Sequence, residues 1–156
     1  MEPRRILIFG PPGSGKTTLA TRIAAEHKLP HLQLDELFWD SKKGYGMRRD
    51  ADERNKKLEE IAAMDAWVLE GVYWSWSGSV IEKADEVLVL DVPLKIRQWR
   101  ILKRFAKRKL GLETNDKGES LRGLWELLQW NRSWEREQRP RALAFFQEQH
   151  AKIRHV

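Results

Sequence analysis

Gly10-Pro11-Pro12-Gly13-Ser14-Gly15-Lys16-Thr17 follows G-x-x-x-x-G-K-[ST] at every position, and its reading decides the fold. A chain of 156 residues shows this pattern by accident roughly once in two hundred. Glycines let a backbone wrap closely around phosphate, and the amides of residues 13–18 then converge beside the positive end of a helix. In that reading Gly10, Gly13, Ser14, Gly15, Lys16, Thr17 and Thr18 form a nucleotide-binding set. Lys16 reaches the β- and γ-phosphates, and the Thr17 hydroxyl ligates Mg²⁺. The motif predicts binding of a nucleoside triphosphate, ATP, together with Mg²⁺. The bland alternative is a flexible glycine turn.

The flanking sequence supplies the context this motif requires. Residues 6–9 are a short apolar run of the kind that makes a fully buried strand, and residues 17–27 carry Leu19, Ile23 and Ala24 at helical spacing. Further apolar runs at 31–34, 67–69 and 87–90 each lead into a carboxylate, Asp35, Glu70 or Asp91. Helical patterns at 50–64 and 94–110 separate them. This alternation predicts an α/β P-loop NTPase with a parallel, five-stranded sheet flanked by helices and joined by right-handed crossovers. Residues 111–118 read as a loop. Residues 119–134 read as a helix with Leu121, Leu124, Trp125 and Leu128 along one stripe. Residues 141–150 read as another helix, and 152–156 as an edge strand or a frayed end. No repeat, low-complexity tract or linker interrupts the chain.

Composition narrows the setting. With 41% hydrophobic residues, a chain of this size buries roughly two-thirds of its unfolded surface. Zero cysteines exclude disulfides, Cys-rich zinc sites, iron–sulfur clusters and a thiol nucleophile, and suit a reducing compartment, so a cytoplasmic location is expected. The longest charge-free stretches, 6–15 and 71–81, fall far short of the ~20 apolar residues of a membrane span. Residues 6–9 are also too short for the apolar core of a signal peptide, so Met1 is expected to begin the mature protein. The net charge of +6 points to anionic partners, whether phosphorylated small molecules, nucleic acids or anionic lipids. The four histidines show no metal-ligand spacing.

The strand-end carboxylates carry a family resemblance. Trp67-Val68-Leu69-Glu70-Gly71 resembles the hydrophobic strand plus Asp-Gly of adenylate kinase-like enzymes, whose carboxylate holds waters on Mg²⁺. Leu90-Asp91-Val92-Pro93, followed by Arg100 and Arg104, resembles their fourth strand, Asp-x-Pro turn and the two arginines that open the lid and embrace ATP. Asp35 lies where these kinases begin their acceptor-binding segment. Within that superfamily, the spacing from Leu34-Asp35 to Trp39, the pattern of residues 67–73, and a basic helix followed by the Trp-rich stretch 124–141 are similar to the small topology modulation, or FlaR-like, proteins.

Two departures stand out. Val72-Tyr73-Trp74 occupies the place of the Phe-Pro-Arg whose arginine helps bind an acceptor phosphate, and Glu70 replaces Asp, one methylene longer. The resemblance implies one kinase-like domain over 1–156, with an acceptor-binding insert at about 35–66 and a short lid at about 104–122. It implies ATP- and Mg²⁺-dependent phosphoryl transfer to a small-molecule acceptor. A nucleoside or nucleoside monophosphate comes first, a hydroxylated metabolite next.

Arg97, Arg100, Arg104 and Arg108 fall within about an 80° arc of one helix. Four like charges there repel unless an anion sits among them, and Arg100 and Arg104 suit the equatorial oxygens of a transferring phosphoryl group. Asp35 is the candidate for acceptor recognition and, toward a hydroxyl, for the general base; the alternative is a helix cap or surface carboxylate. Glu70 is expected to face the ligand crevice with Mg²⁺, and Asp91 to cap the next helix. Trp67, Trp125 and Trp130 are expected in the core or in helix packing. Trp39, Tyr45, Tyr73, Trp74 and Trp76 are candidates to stack on a base or ring, and Arg48, Arg49 and Arg54 are candidate anion contacts. A competing reading is a nucleic-acid-binding regulator with ATP as its switch. It draws on the +6 charge and on residues 95–109, which hold eight bases and no acid. No helix-turn-helix, zinc or stacking-platform motif accompanies it, so any DNA binding is expected to be weak.

Overall fold

A computed structural model describes residues 3–40, 42–43, 46–113 and 120–156. Tyr45 and residues 114–119 of the expected lid lie outside the described residues. In chain order the elements are β1 (Arg5–Phe9), α1 (Lys16–His27), β2 (His31–Gln33), α2 (Leu34–Phe38), α3 (Ala51–Ala62) and β3 (Trp67–Gly71). They continue with α4 (Gly78–Lys83), β4 (Glu86–Val89), α5 (Leu94–Lys109), α6 (Leu121–Ser133), α7 (Gln138–Glu148) and β5 (Ile153–His155). The five strands form one parallel sheet in the order β2-β3-β1-β4-β5, so the strand that feeds the glycine loop is central. Among the described residues no helix is long and apolar enough to cross a membrane.

The strands read as continuous apolar runs because both faces of the sheet are covered. Leu7 and Phe9, Trp67 and Leu69, and Val87 and Val89 point to one face. There they meet Leu34 and Leu37 of α2, Leu58 of α3, Val80 and Ile81 of α4, and Phe146 of α7. Ile6 and Ile8, Val68, Leu88 and Leu90 point to the other face, against Ala20 and Ala24 of α1. The Phe9 ring meets Phe146 edge-on at 4.9 Å and Trp134 at 5.3 Å, which ties the C-terminal helices to the strand before the loop. Burial of each such side chain stabilises by about 1.5–3 kcal/mol.

Several expectations change. The strand expected at 31–34 ends at Gln33. Leu34 and Leu37, one helical turn apart, are buried on the core face and draw the chain into α2, so Asp35 sits in a helical first turn. The short α4 was not legible as an element. Residues 153–155 form an edge strand on β4, with Val87 opposite Ile153. Asp91 does not cap α5, whose N-cap position is Pro93. Instead it accepts from Arg139 Nη2 at 2.7 Å and faces His155 Nδ1 at 2.6 Å, joining α7 and β5 to the end of β4. Trp67 is fully buried and Trp130 packs on the core, but Trp125 is 64% exposed. α6 is apolar around most of its circumference, and packing selects the Leu124–Leu128–Asn131 side while Leu121 and Trp125 face solvent.

The four arginines of α5 do not form one repelling face. Arg97 is fully buried and paired with Glu135 at 2.9 Å, beyond the end of α6. The Arg97 Nε and Nη1 have no hydrogen-bond partner among the described residues, so Glu135 is the main compensation for a buried cation. Glu135→Ala is therefore expected to cost about 3 kcal/mol, the low end for removing one partner of a buried pair because Glu135 is itself half exposed. A urea titration reads this as a lower midpoint at unchanged slope; a midpoint within error of the wild type would contradict it.

Candidate active site

Parallel α/β sheets present ligands with a crevice outside the carboxyl ends of their strands. Here that crevice is a cleft of about 660 Å³ reached by the loop after β1, α2, the end of β3 and one side of α5. Its volume lies within the range of small-molecule sites.

The loop is shaped by steric demands that local sequence alone does not express. A Cβ on Gly10 would fall 2.9 Å from Ser14 Oγ. Gly13 sits at φ +78°, where a Cβ would lie 2.6 Å from the Arg97 carbonyl oxygen. Gly15, at φ +92°, occupies the N-cap of α1, and Lys16 is the first helical residue. Ser14 is buried. Thr18 and Arg100 line both the cleft and an adjoining recess of about 450 Å³ bordered by Leu19 and Arg22.

Lys16 donates from Nζ to the Pro11 carbonyl at 3.2 Å. Burial pulls its pKa below the ordinary value; Glu70 and Asp35 oppose the shift, while Arg104 adds to it. These neighbours place two carboxylates and a guanidinium around one ammonium. Thr17 donates from Oγ1 to Glu70 Oε1 at 2.5 Å. Glu70 is 5% exposed, with His31 Nε2 at 3.9 Å. Asp35 lines the cleft and faces the Tyr73 hydroxyl. Burial raises the Tyr73 pKa, and the Asp35 charge raises it further. Arg100 donates from Nη1 to the carbonyls of Gly13 and Ser14, and Arg104 and Arg108 line the cleft beyond it.

Other expected contacts are not brought together here. Arg49 bonds Glu53 at 2.6 Å and the Leu37 carbonyl at 3.1 Å. Arg48 lies over the Phe38 ring and Arg54 over the Trp76 ring. None of the three lines the cleft. The loop aromatics stack largely on one another, Phe38 on Tyr73 at 4.6 Å and Tyr73 against Trp76 at 5.3 Å; of the expected stackers, Trp39 and Tyr73 line the cleft. Trp74 donates to Gln138 at 3.4 Å. Sequence reasoning missed Asn131, which donates from Nδ2 to the Pro12 carbonyl at 2.7 Å across 119 residues. Its one signal was a lone amide three residues after Leu128 in an otherwise apolar helix stripe.

The sequence profile described as AAA domain matches residues 9–121. The chain belongs to the AAA domain family. The matched span runs from the last residue of β1 to the first of α6 and so holds the loop, Asp35, Glu70, Asp91 and the α5 arginines. Relatives of this AAA domain chain include nucleotide kinases and, over a stretch of 63 residues at 38% identity, an ATP-dependent zinc metalloprotease of Malacoplasma penetrans. It is similar to a cytidylate kinase of Methanosphaerula palustris, 34% identical over 112 residues, or 62% of this chain and 61% of that protein. It is similar to an adenylate kinase of Thermotoga neapolitana, 38% identical over 56 residues, or 36% of this chain and 23% of that protein. The chain thus spans less than two thirds of the length of either. In fold it resembles a shikimate kinase of Acinetobacter baumannii in complex with shikimate, with a TM-score of 0.57 at 20% identity over 98% of this chain and 82% of that one.

Proposed function

We propose that this protein transfers the γ-phosphoryl group of ATP, with Mg²⁺, to a hydroxyl of a small acceptor, a nucleoside being the first candidate. The observation that carries the reading is the convergence of Lys16, Thr17, Glu70 and Asp35 on one cleft. The Lys16 ammonium lies in the field of two carboxylates, Glu70, which accepts from Thr17, and Asp35, which faces the Tyr73 hydroxyl.

The amides of residues 13–18 cradle the phosphates, and Lys16 neutralises the β,γ-bridge. Thr17 and Glu70 would hold Mg²⁺. Two protein oxygens suit an ion that keeps its waters and takes phosphate oxygens, and when bound it offsets the charge developing on the transferring group. The acceptor oxygen bonds to the γ-phosphorus as the bond to the bridging oxygen breaks, ADP leaves, and the acceptor proton passes to Asp35. A hydroxyl must lose that proton, whereas a phosphate acceptor need not. The Asp35 carboxylate also repels an acceptor phosphate, and Arg48, Arg49 and Arg54 are engaged elsewhere. The names of the relatives, cytidylate kinase and adenylate kinase, denote nucleoside monophosphate acceptors and support a nucleotide-related acceptor, while the hydroxyl reading rests on Asp35. In this reading residues 35–66 form the acceptor side and 104–122 the lid, and the finer family placement is with the topology modulation, or FlaR-like, proteins. No observation favours the nucleic-acid regulator: Arg97 is buried and Arg100 engages the loop, which leaves mainly lysines such as Lys95, Lys103 and Lys109 outward.

The test is ATP and MgCl₂ with a panel of nucleosides, nucleoside monophosphates and hydroxy acids, scored for ADP and for the phosphorylated product. Transfer only to monophosphates would remove Asp35 from the base role. Binding of ATP without any transfer would return the reading to a regulator. Arg104→Ala is expected to lower kcat about 10²-fold at nearly constant KM for ATP, as when one preorganised contact to the transition state is lost. A change confined to KM would instead make Arg104 a ground-state phosphate contact.

A further inference from the structure

Four successive carbonyls of the phosphate loop are each held by a side chain. Pro11 accepts from Lys16 at 3.2 Å, Pro12 from Asn131 at 2.7 Å, and Gly13 and Ser14 from Arg100 at 3.1 and 3.3 Å. In a trans peptide unit the carbonyl and the following N–H point in opposite directions. Holding the Pro12 carbonyl from α6 therefore aims the Gly13 amide away from Asn131, while the Ser14 amide turns back to the Pro11 carbonyl at 3.2 Å. Pro11 and Pro12 have no N–H, so the amide of Gly13 is the first the loop can offer. Its direction is set by the peptide unit that Asn131 holds.

Asn131 is fully buried, and its Oδ1 has no partner among the described residues. A buried amide with one hydrogen bond is a poor choice for packing alone, since an apolar side chain of that size would avoid the desolvation cost. Its placement is fixed from a distance. Trp134, one turn on, packs against Phe9 at the end of β1, so the helix that carries the amide is registered to the strand that carries the loop.

We propose that Asn131 is a positioning residue for the phosphate loop: by binding the Pro12 carbonyl it turns the Gly13 amide toward the β-phosphate of bound nucleotide. The inference rests on the reading that this loop binds ATP. Without the bond, Pro12 O loses its partner and the 12–13 peptide is free to rotate, which removes one donor from the cradle but none from the recess beside Arg22.

The test compares wild type, Asn131→Leu and Asn131→Asp by calorimetric titration with Mg²⁺-ADP, a Mg²⁺-bound non-hydrolysable ATP analogue, and AMP as the ligand without a β-phosphate. Urea unfolding without nucleotide is measured in parallel. Asn131→Leu is expected to be as stable as wild type or more so, yet to bind ADP and the analogue about tenfold more weakly, with AMP unchanged. Asn131→Asp supplies a readout that packing would not move. Burial favours its neutral acid, whose O–H can donate to Pro12 O at low pH, and the carboxylate formed at higher pH repels that oxygen. Its ADP affinity relative to wild type should therefore fall as pH rises. A folded Asn131→Leu with wild-type ADP affinity, equal losses for AMP and ADP, or an Asn131→Asp ratio flat with pH would each overturn the proposal. Wild type that binds neither ADP nor the analogue would sink the functional reading itself, whereas wild-type binding with an indifferent Asn131 sinks only the positioning role.

Discussion

Lys16→Met is expected to reduce ATP-dependent phosphoryl transfer by about 10³-fold or more while leaving a protein at least as stable as the wild type in the absence of nucleotide. The two halves have one cause. Lys16 is held where burial disfavours its charge more than Asp35 and Glu70 favour it, so its pKa in the fold lies below the ordinary 10.5. Keeping that ammonium charged costs the empty fold free energy, and this offset is recovered when a triphosphate supplies the anion. Methionine keeps the stem and removes the charge.

The pH dependence has a definite sign. Between the lowered pKa and 10.5 the unfolded chain binds a proton that the fold has released. The Lys16 contribution to stability therefore rises with pH across that window, and the cost is fully present below it. Thermal unfolding of the two proteins from pH 7 to 10 should show the gap in favour of Lys16→Met narrowing as pH rises. Turnover retained in the folded variant would refute the assignment of Lys16 to the phosphates.

Asp35→Asn should lower kcat by about 10³-fold for a hydroxyl acceptor, within the range of a lost general base, with KM for ATP nearly unchanged. Asparagine has the same shape and still faces Tyr73, so acceptor binding and the fold survive while the proton has nowhere to go. The location of Asp35 sharpens the expectation: it lies in the first turn of α2, a helix fixed by buried Leu34 and Leu37, rather than on a free loop. The behaviour of Gly71 supports the same rigidity, since a Cβ there would meet Leu34 Cβ at 2.7 Å and push α2 out of place. Steady-state kinetics with the preferred acceptor decide the matter. A loss below tenfold would mean that the acceptor arrives already ionised, as a phosphate does.

What the chain settled unaided was local in nature. The glycine loop, the buried strand before it and the helix after it are contiguous. Asp35 and Glu70 were legible as cleft-lining residues because the carboxyl ends of parallel strands open on the ligand crevice. Alternating apolar runs and helical stripes were enough to reach a parallel five-stranded sheet. The tertiary structure decided which of several equivalent residues meets which partner. Arg97, Arg100 and Arg104 share one arc of α5, yet Arg97 is buried against Glu135, Arg100 binds the loop carbonyls and Arg104 faces the cleft. On α6 the helical period admitted Trp125 as readily as Asn131, and only the seating of Trp134 on Phe9 turned Asn131 inward to Pro12. Asp91 likewise had a local use as a cap and found a distant one with Arg139 and His155. Periodicity specifies a face, whereas the identity of the surface it meets depends on elements far along the chain, whose approach no local pattern encodes.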